Sequence, residues 1–337
     1  MTIFLSTALA AAAFCVVLIL ILKPLLMRYA LARPNARSSH RVPTPQGGGM
    51  AVIAAMLIAS AGALALTSAP APAWGDLVWV AAGAILLALV GAVDDIRPLP
   101  ALPRLALQVA AVAALVLIAG DELRVLPGAV PLWLERALLV VAGVWFVNLV
   151  NFMDGLDWIT VAEIVPVTAT LALLGPLGVV EPLPALVAAA LCGGMLGFAP
   201  FNKPVAKLFL GDVGSLPIGL VTAWLLFGLA AAGGLVAAIL LPLYHLADAT
   251  ITLGRRIMRR ERVWEAHRSH FYQRATDNGF SATMVSARVF GLNLVLAALA
   301  ILTLAWPTPA VQIAALAVGA GLVGLLLAHF SKPEASS

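Results

Sequence analysis

Apolar residues fill this chain in long blocks separated by short polar segments. Blocks rich in Leu, Ala and Val run near 3–22, 47–67, 77–93, 105–119, 136–152, 159–175, 183–200, 213–232, 234–252, 283–305 and 309–329. Each approaches the roughly 20 residues that a helix needs to cross the hydrocarbon core. A backbone in lipid must satisfy its own hydrogen bonds, and the blocks are too long for barrel strands. The pattern therefore predicts an all-α, polytopic membrane bundle of about eleven transmembrane helices. The fifth and sixth blocks are short, and the ninth carries His245 and Asp248.

Composition excludes a soluble fold: 62% of the 337 residues are hydrophobic and 11% are charged, against about 25% charged in an ordinary soluble domain. The basic residues then orient the bundle, because Lys and Arg gather in inner loops. With the first block entering from outside, 18 of the 20 fall on one side: Lys23, Arg28, Arg33, Arg37, Arg41, Arg97, Arg104, Lys203, Lys207, Arg255, Arg256, Arg259, Arg260, Arg262, Arg268, Arg274, Arg288 and Lys332. Arg124 and Arg136 are the exceptions. The N-terminus is expected outside and the C-terminus in the cytoplasm. The net charge of +4 is thus topological and does not signal nucleic-acid binding. No basic residue precedes the first block, which reads as a retained span and not a secretory signal. Cys15 and Cys192 fall inside blocks as small apolar residues. There is no fixed-period repeat, and no polar segment is long enough for a soluble domain. Residues 1–337 read as one membrane domain whose inner loops, near 23–46, 94–104, 151–158, 201–212 and 253–282, form the site.

Acidic residues concentrate on that inner side: Asp94 and Asp95 end the third block, Asp154 and Asp157 follow the fifth, and Asp212 precedes the eighth. Carboxylates facing lipid are expensive. Any one of them reads equally well as a helix cap, but five at one face beside so many arginines point to a polar site. Oxygen donors without a Cys or His cluster at zinc spacing favour a hard cation such as Mg²⁺, with Mn²⁺ as a substitute. Mg²⁺ completes its shell with water and substrate phosphates, and converging Arg and Lys hold a diphosphate. The segment Ser38–Gly49 adds rigid prolines and three glycines that permit close backbone approach.

Five ordered segments then resemble one family. They are His40-Arg41-Val42-Pro43-Thr44-Pro45-Gln46-Gly47-Gly48-Gly49, Gly91-Ala92-Val93-Asp94-Asp95, Asn151-Phe152-Met153-Asp154-Gly155-Leu156-Asp157, Phe209-Leu210-Gly211-Asp212-Val213-Gly214-Ser215 and His267-Arg268-Ser269-His270-Phe271-Tyr272-Gln273-Arg274. In this order they resemble the polyprenyl-phosphate N-acetylhexosamine-1-phosphate transferases (glycosyl transferase family 4), over residues 33–274. The resemblance implies transfer of HexNAc-1-phosphate from a UDP-sugar to undecaprenyl phosphate with release of UMP, in the bacterial inner membrane with the site facing the cytoplasm. It implies Asp212 as the principal Mg²⁺ ligand with Asn151 as a second, and Asp94, Asp95 and Asp212 as the catalytic acids, the first two beside the lipid phosphate. Asp157 would hydrogen-bond the uracil and Phe209 stack on it. Arg104 would contact phosphate, and His267, Arg268 and His270 the diphosphate or sugar. Arg41, Thr44, Asn148 and Asp154 complete the implied substrate contacts, and a homodimer is a further implied assembly.

Leu102 and Pro103 stand where relatives often carry a basic residue, and Trp158 follows Asp157 where glycine is usual. Trp158 either narrows the nucleotide pocket or anchors the interface. The last segment resembles transferases that start O-antigen or other surface polysaccharides, whose donors are of GlcNAc, FucNAc or QuiNAc type. His245 and Asp248, three apart, either pair with each other or a neighbouring helix or serve the site; Glu163 is equally open. The competing function is a membrane transporter of a polar or anionic solute, which would place a polar site near the bilayer midplane between two similar halves.

Overall fold

In the computed structural model, which describes residues 1–32, 43–67, 70–262 and 267–334, every apolar block is helical. The first half comprises α1 (Thr2–Tyr29), α2 (Gly49–Leu66), α3 (Ala71–Ile96), α4 (Ala101–Ile118) and α5 (Leu132–Met153). The second comprises α6 (Ile159–Leu174), α7 (Pro182–Phe198), α8 (Asp212–Leu229), α9 (Leu235–Leu240), α10 (Leu243–Met258), α11 (Phe271–Asp277), α12 (Ala282–Ala305) and α13 (Pro309–Phe330). Among the described residues eight helices are long and apolar enough to cross a membrane, counting α8 as continuous through a π-helical turn to Leu240. The helices α6 and α7 are shorter but equally apolar. The all-α membrane bundle is the fold.

Burial orders the bundle. Nearly every side chain of α7 and α8 is buried, as expected of helices apolar all round. By contrast α1 and α13 leave large residues such as Leu5, Leu9, Ile21, Ile313 and Leu325 on the outside, the surface lipid covers. The central α8 packs on α2, α3 and α5, and its first turn faces the end where the basic residues gather. That turn is where the site lies.

Helix ends differ from the hydropathy blocks. The helix α1 continues past residue 22 to Tyr29 with Lys23 and Arg28 on it, because long basic side chains snorkel from the end of a buried helix. Likewise α3 continues to Ile96, so Asp94 and Asp95 occupy its last turn. The ninth block, 234–252, is not one helix: α9 stops at Leu240 and α10 begins after Pro242. Proline lacks an amide hydrogen and its ring clashes with the carbonyl four residues earlier. In α10 the polar residues His245, Asp248, Thr252 and Arg256 lie on the buried face, which dilutes the apolar signal of that block. Pro166, inside α6, frees the carbonyl of Ala162. The amide of Asn293 on α12 takes that carbonyl at 3.0 Å.

Candidate active site

The site is built on the start of α8. Gly211, with φ of 77°, turns the chain into the helix through the left-handed region that suits glycine. The first amides of a helix need acceptors, and Asp95 on α3 supplies them. Its Oδ1 accepts from the amide of Asp212 at 3.0 Å and its Oδ2 from that of Val213 at 3.1 Å. The two helices come this close because Gly91 lacks a side chain; a Cβ there would collide with the carbonyl of Asp212. Gln46 donates to the backbone carbonyl of Asp95 at 2.8 Å. Gln46 follows the short strand Thr44–Pro45, paired with Leu31–Ala32. Phe209 is held by backbone to this strand: its amide donates to Pro45 and its carbonyl accepts from Gly48, both at 2.9 Å. Thr44 is buried in the strand, and Arg41 lies outside the described residues.

Four helices bring polar groups together at this point. Asn151, at the end of α5, donates to Asp212 at 2.7 Å and to Ser215, one turn on, at 2.9 Å. Asp94 accepts from the amide of Leu99 at 2.6 Å and from Arg104 of α4 at 2.7 Å. The same Arg104 nitrogen stands 3.8 Å from Asp212. The Asp94 and Asp212 carboxyls lie within hydrogen-bonding reach of each other. Two carboxylates so close demand a positive charge between them or a shared proton, and Arg104 meets only part of that demand on Asp212. The Asp212 side chain is 27% exposed, so it remains open to a ligand. Among the described residues no three His, Cys, Asp or Glu side chains come together as a metal group, so an ion here would rest on one or two carboxylates and the Asn151 amide.

The loop after α5 closes one side. Asp154 accepts from the hydroxyl of Thr160, yet burial, with Asp95 and Asp157 nearby, pushes its carboxyl up to about 7. Asp157 accepts from the amide of Ala206 at 2.9 Å. Trp158 takes a left-handed φ of 67°, uncommon for a bulky residue. Its amide donates to Asn202 and its indole to the carbonyl of Ala199, both at 2.7 Å. Trp158 is therefore an anchor between two loops. Asn148, one turn before Asn151, donates to Gln108 of α4 at 2.7 Å and to its own helix, so its amide serves α4–α5 packing.

The basic loop closes the other side. Tyr272 reaches across to donate to the carbonyl of Phe152 at 3.1 Å. His267 stacks on His270, ring centroids 4.9 Å apart, and its Nδ1 lies 2.9 Å from the hydroxyl of Ser269. Burial, with His270 and Arg256 alongside, lowers His267 to about 4, leaving it neutral at physiological pH. Arg268 pairs with Asp277 at 3.0 Å. Gln46, Ser215, Asn202 and Tyr272 are additions to the sequence reading; three of them lie within its motifs, but only packing shows which group each one holds.

The family model for glycosyl transferase family 4 matches residues 77–252, more than half of the chain. The chain belongs to glycosyl transferase family 4. Within it, the chain is 34% identical over 213 residues to the decaprenyl-phosphate N-acetylglucosaminephosphotransferase of Mycobacterium tuberculosis, covering 58% of this chain and 52% of that one. The chain thus spans about half the length of these mycobacterial relatives. It is 26% identical over 286 residues to the "Probable undecaprenyl-phosphate N-acetylglucosaminyl 1-phosphate transferase" of Bacillus subtilis, covering 79% and 76%. A 103-residue stretch is 39% identical to a phospho-N-acetylmuramoyl-pentapeptide-transferase of Mycobacterium bovis, covering 26% and 28%. The family match takes in all five of these acids, Arg104 and Asn151 but ends before the basic loop.

Proposed function

We propose that this protein transfers HexNAc-1-phosphate from a UDP-sugar to undecaprenyl phosphate, releasing UMP. The observation that carries the reading is the meeting of Asp94, Arg104, Asn151 and Asp212, from four helices, at the basic end of a membrane bundle. A lipid phosphate in the leaflet and a soluble nucleotide sugar can both reach such a point. The relatives named for polyprenyl-phosphate GlcNAc-phosphate transfer support the same reaction class.

An oxygen of the lipid phosphate attacks the sugar-bearing phosphorus, and the anhydride bond to the UMP phosphate breaks as the new anhydride forms. The attacking phosphate is largely ionised at neutral pH, so the residues' main task is to position it and to spread charge. Arg104 offsets the negative charge at Asp94 and Asp212. Neutral His267, stacked on His270, lines the loop that meets the diphosphate or sugar. Asp157 and Phe209, both held by the backbone around residues 45–48 and 206, frame the nucleotide end. The oxygen donors of Asp212 and Asn151 suit Mg²⁺, which when bound supplies polarisation of the diphosphate. The donor sugar is of GlcNAc, FucNAc or QuiNAc type, the product starts a surface polysaccharide such as O-antigen, and the site faces the cytoplasm of the bacterial inner membrane.

The test is purified protein with labelled UDP-HexNAc, undecaprenyl phosphate and Mg²⁺. Labelled lipid and UMP are expected from at least one donor. Because one anhydride replaces another, excess UMP should return label from purified lipid to the nucleotide sugar. Solute uptake without any labelled lipid would favour a transporter instead.

A further inference from the structure

Asp248 lies on α10, fully buried, outside the four-helix meeting point. An isolated buried carboxylate is costly, and this one is surrounded by donors. Its Oδ1 accepts from the amide of Phe271 at 3.0 Å, lies 3.2 Å from His270 Nδ1, and accepts from the hydroxyl of Thr252 at 3.3 Å. Its Oδ2 accepts from the amide of Tyr272 at 3.1 Å and from the hydroxyl of Tyr244 at 3.2 Å. Two donors anchor the start of α11. The imidazole is different in kind. A carboxylate accepts only, so the proton between Asp248 and His270 sits on Nδ1, and Nε2 is the nitrogen left to meet a ligand. The ring is further fixed between His267, at 4.9 Å, and Tyr272, at 5.7 Å between centroids.

We infer that Asp248 is a positioning residue that sets the tautomer of His270 and presents its Nε2 to the substrate. The inference rests on the transferase reading for what that substrate is. A buried carboxylate on Nδ1 of a histidine is also how a serine-protease triad holds its base, where the asparagine variant keeps the geometry but inverts the tautomer. Here the same exchange, Asp248→Asn, keeps an oxygen for the amide of Tyr272 and turns an NH₂ toward Nδ1, moving the proton to Nε2, at the cost of the bond from the amide of Phe271.

The experiment pairs turnover with ¹⁵N spectra of histidine-labelled protein in detergent, His270 being assigned by its loss in His270→Gln. A protonated Nδ1 is expected in the wild type and an unprotonated one in Asp248→Asn. The variant should lose about 10–100-fold in kcat with little change in KM for the UDP-sugar, and adding Asp248→Asn to His270→Gln should cost little more. Full additivity of the two substitutions, or wild-type kcat in an Asp248→Asn protein whose tautomer has changed, overturns the inference. If Asp248→Asn does not fold, the wild-type spectrum decides: an unprotonated Nδ1 overturns the inference, a protonated one supports it. Wild-type protein that makes no labelled lipid from any UDP-HexNAc sinks the transferase reading instead, and leaves the spectrum to decide the Asp248–His270 pair.

Discussion

Asp212→Asn keeps the shape of the side chain and its contact with Asn151 while removing one of two adjoining carboxyl charges. Loss of electrostatic stabilisation of this kind typically costs on the order of 10²–10³ in rate. The Asp212→Asn protein should therefore insert and fold but turn over slowly, and bind Mn²⁺ more weakly by electron paramagnetic resonance. Unchanged Mn²⁺ affinity would remove Asp212 from the metal site. Asp154 behaves differently because burial holds its carboxyl at about 7. A raised pKa means that the folded chain binds the proton more tightly than the unfolded one. The penalty is absent below the unfolded value of about 3.9 and grows as pH climbs towards 7. In Mg²⁺-free protein an infrared band of a protonated carboxyl should vanish with a midpoint near pH 7. It should be missing from Asp154→Asn at every pH.

Helices transmit these residue effects. Asp95 uses both oxygens on the first amides of α8, so Asp95→Ala strips a helix cap as well as a charge. A lost cap costs about 0.5–2 kcal/mol, and the thermal midpoint in detergent should fall, whereas Asp95→Asn, which retains an acceptor, should fall less. Between α6, α10 and α12, Glu163 lies 2.8 Å from His245 and accepts from Asn293 at 2.6 Å, all three being buried. Glu163→Ala should destabilise by about 1–3 kcal/mol, and Glu163→Leu with His245→Leu by less, because removing one partner leaves the other a buried polar group without one; equal midpoints for the two proteins would count against a coupled pair. Hydropathy located the long apolar helices, since lipid contact is decided by the polarity of successive side chains, but it gave no sign of the short polar α11 and joined α9 to α10. It could not see that His245 and Asp248, three apart, part company, one toward Glu163 and the other toward α11. Nor could the run of acids reveal that Asp95 faces a backbone while Asp94 and Asp212 face each other. Both facts depend on how α3 packs on α8, where Gly91 sets the spacing, and no single segment encodes that.

Across the whole molecule, the basic loops and the acids share one end, and the orientation read from charge can be tested directly. Both native cysteines are buried, giving a quiet background for labelling. Cysteines placed at exposed Lys203 and Ser281 should resist an impermeant thiol reagent in intact cells, and one at Ala129 should react; labelling at Lys203 from outside would invert the orientation and remove the site from the cytoplasm. The docking of α11 on Asp248 bears on biogenesis. Synthesis runs from the N-terminus at about 5–20 residues per second, so Asp94, Arg104, Asn151 and Asp212 leave the ribosome well before Asp248, and Asp248 before the histidines that cover it. A nascent chain halted between α10 and α11 would already hold its acids in the membrane yet lack the segment that roofs them, so the constellation is complete only once α11 has followed α10 out of the ribosome.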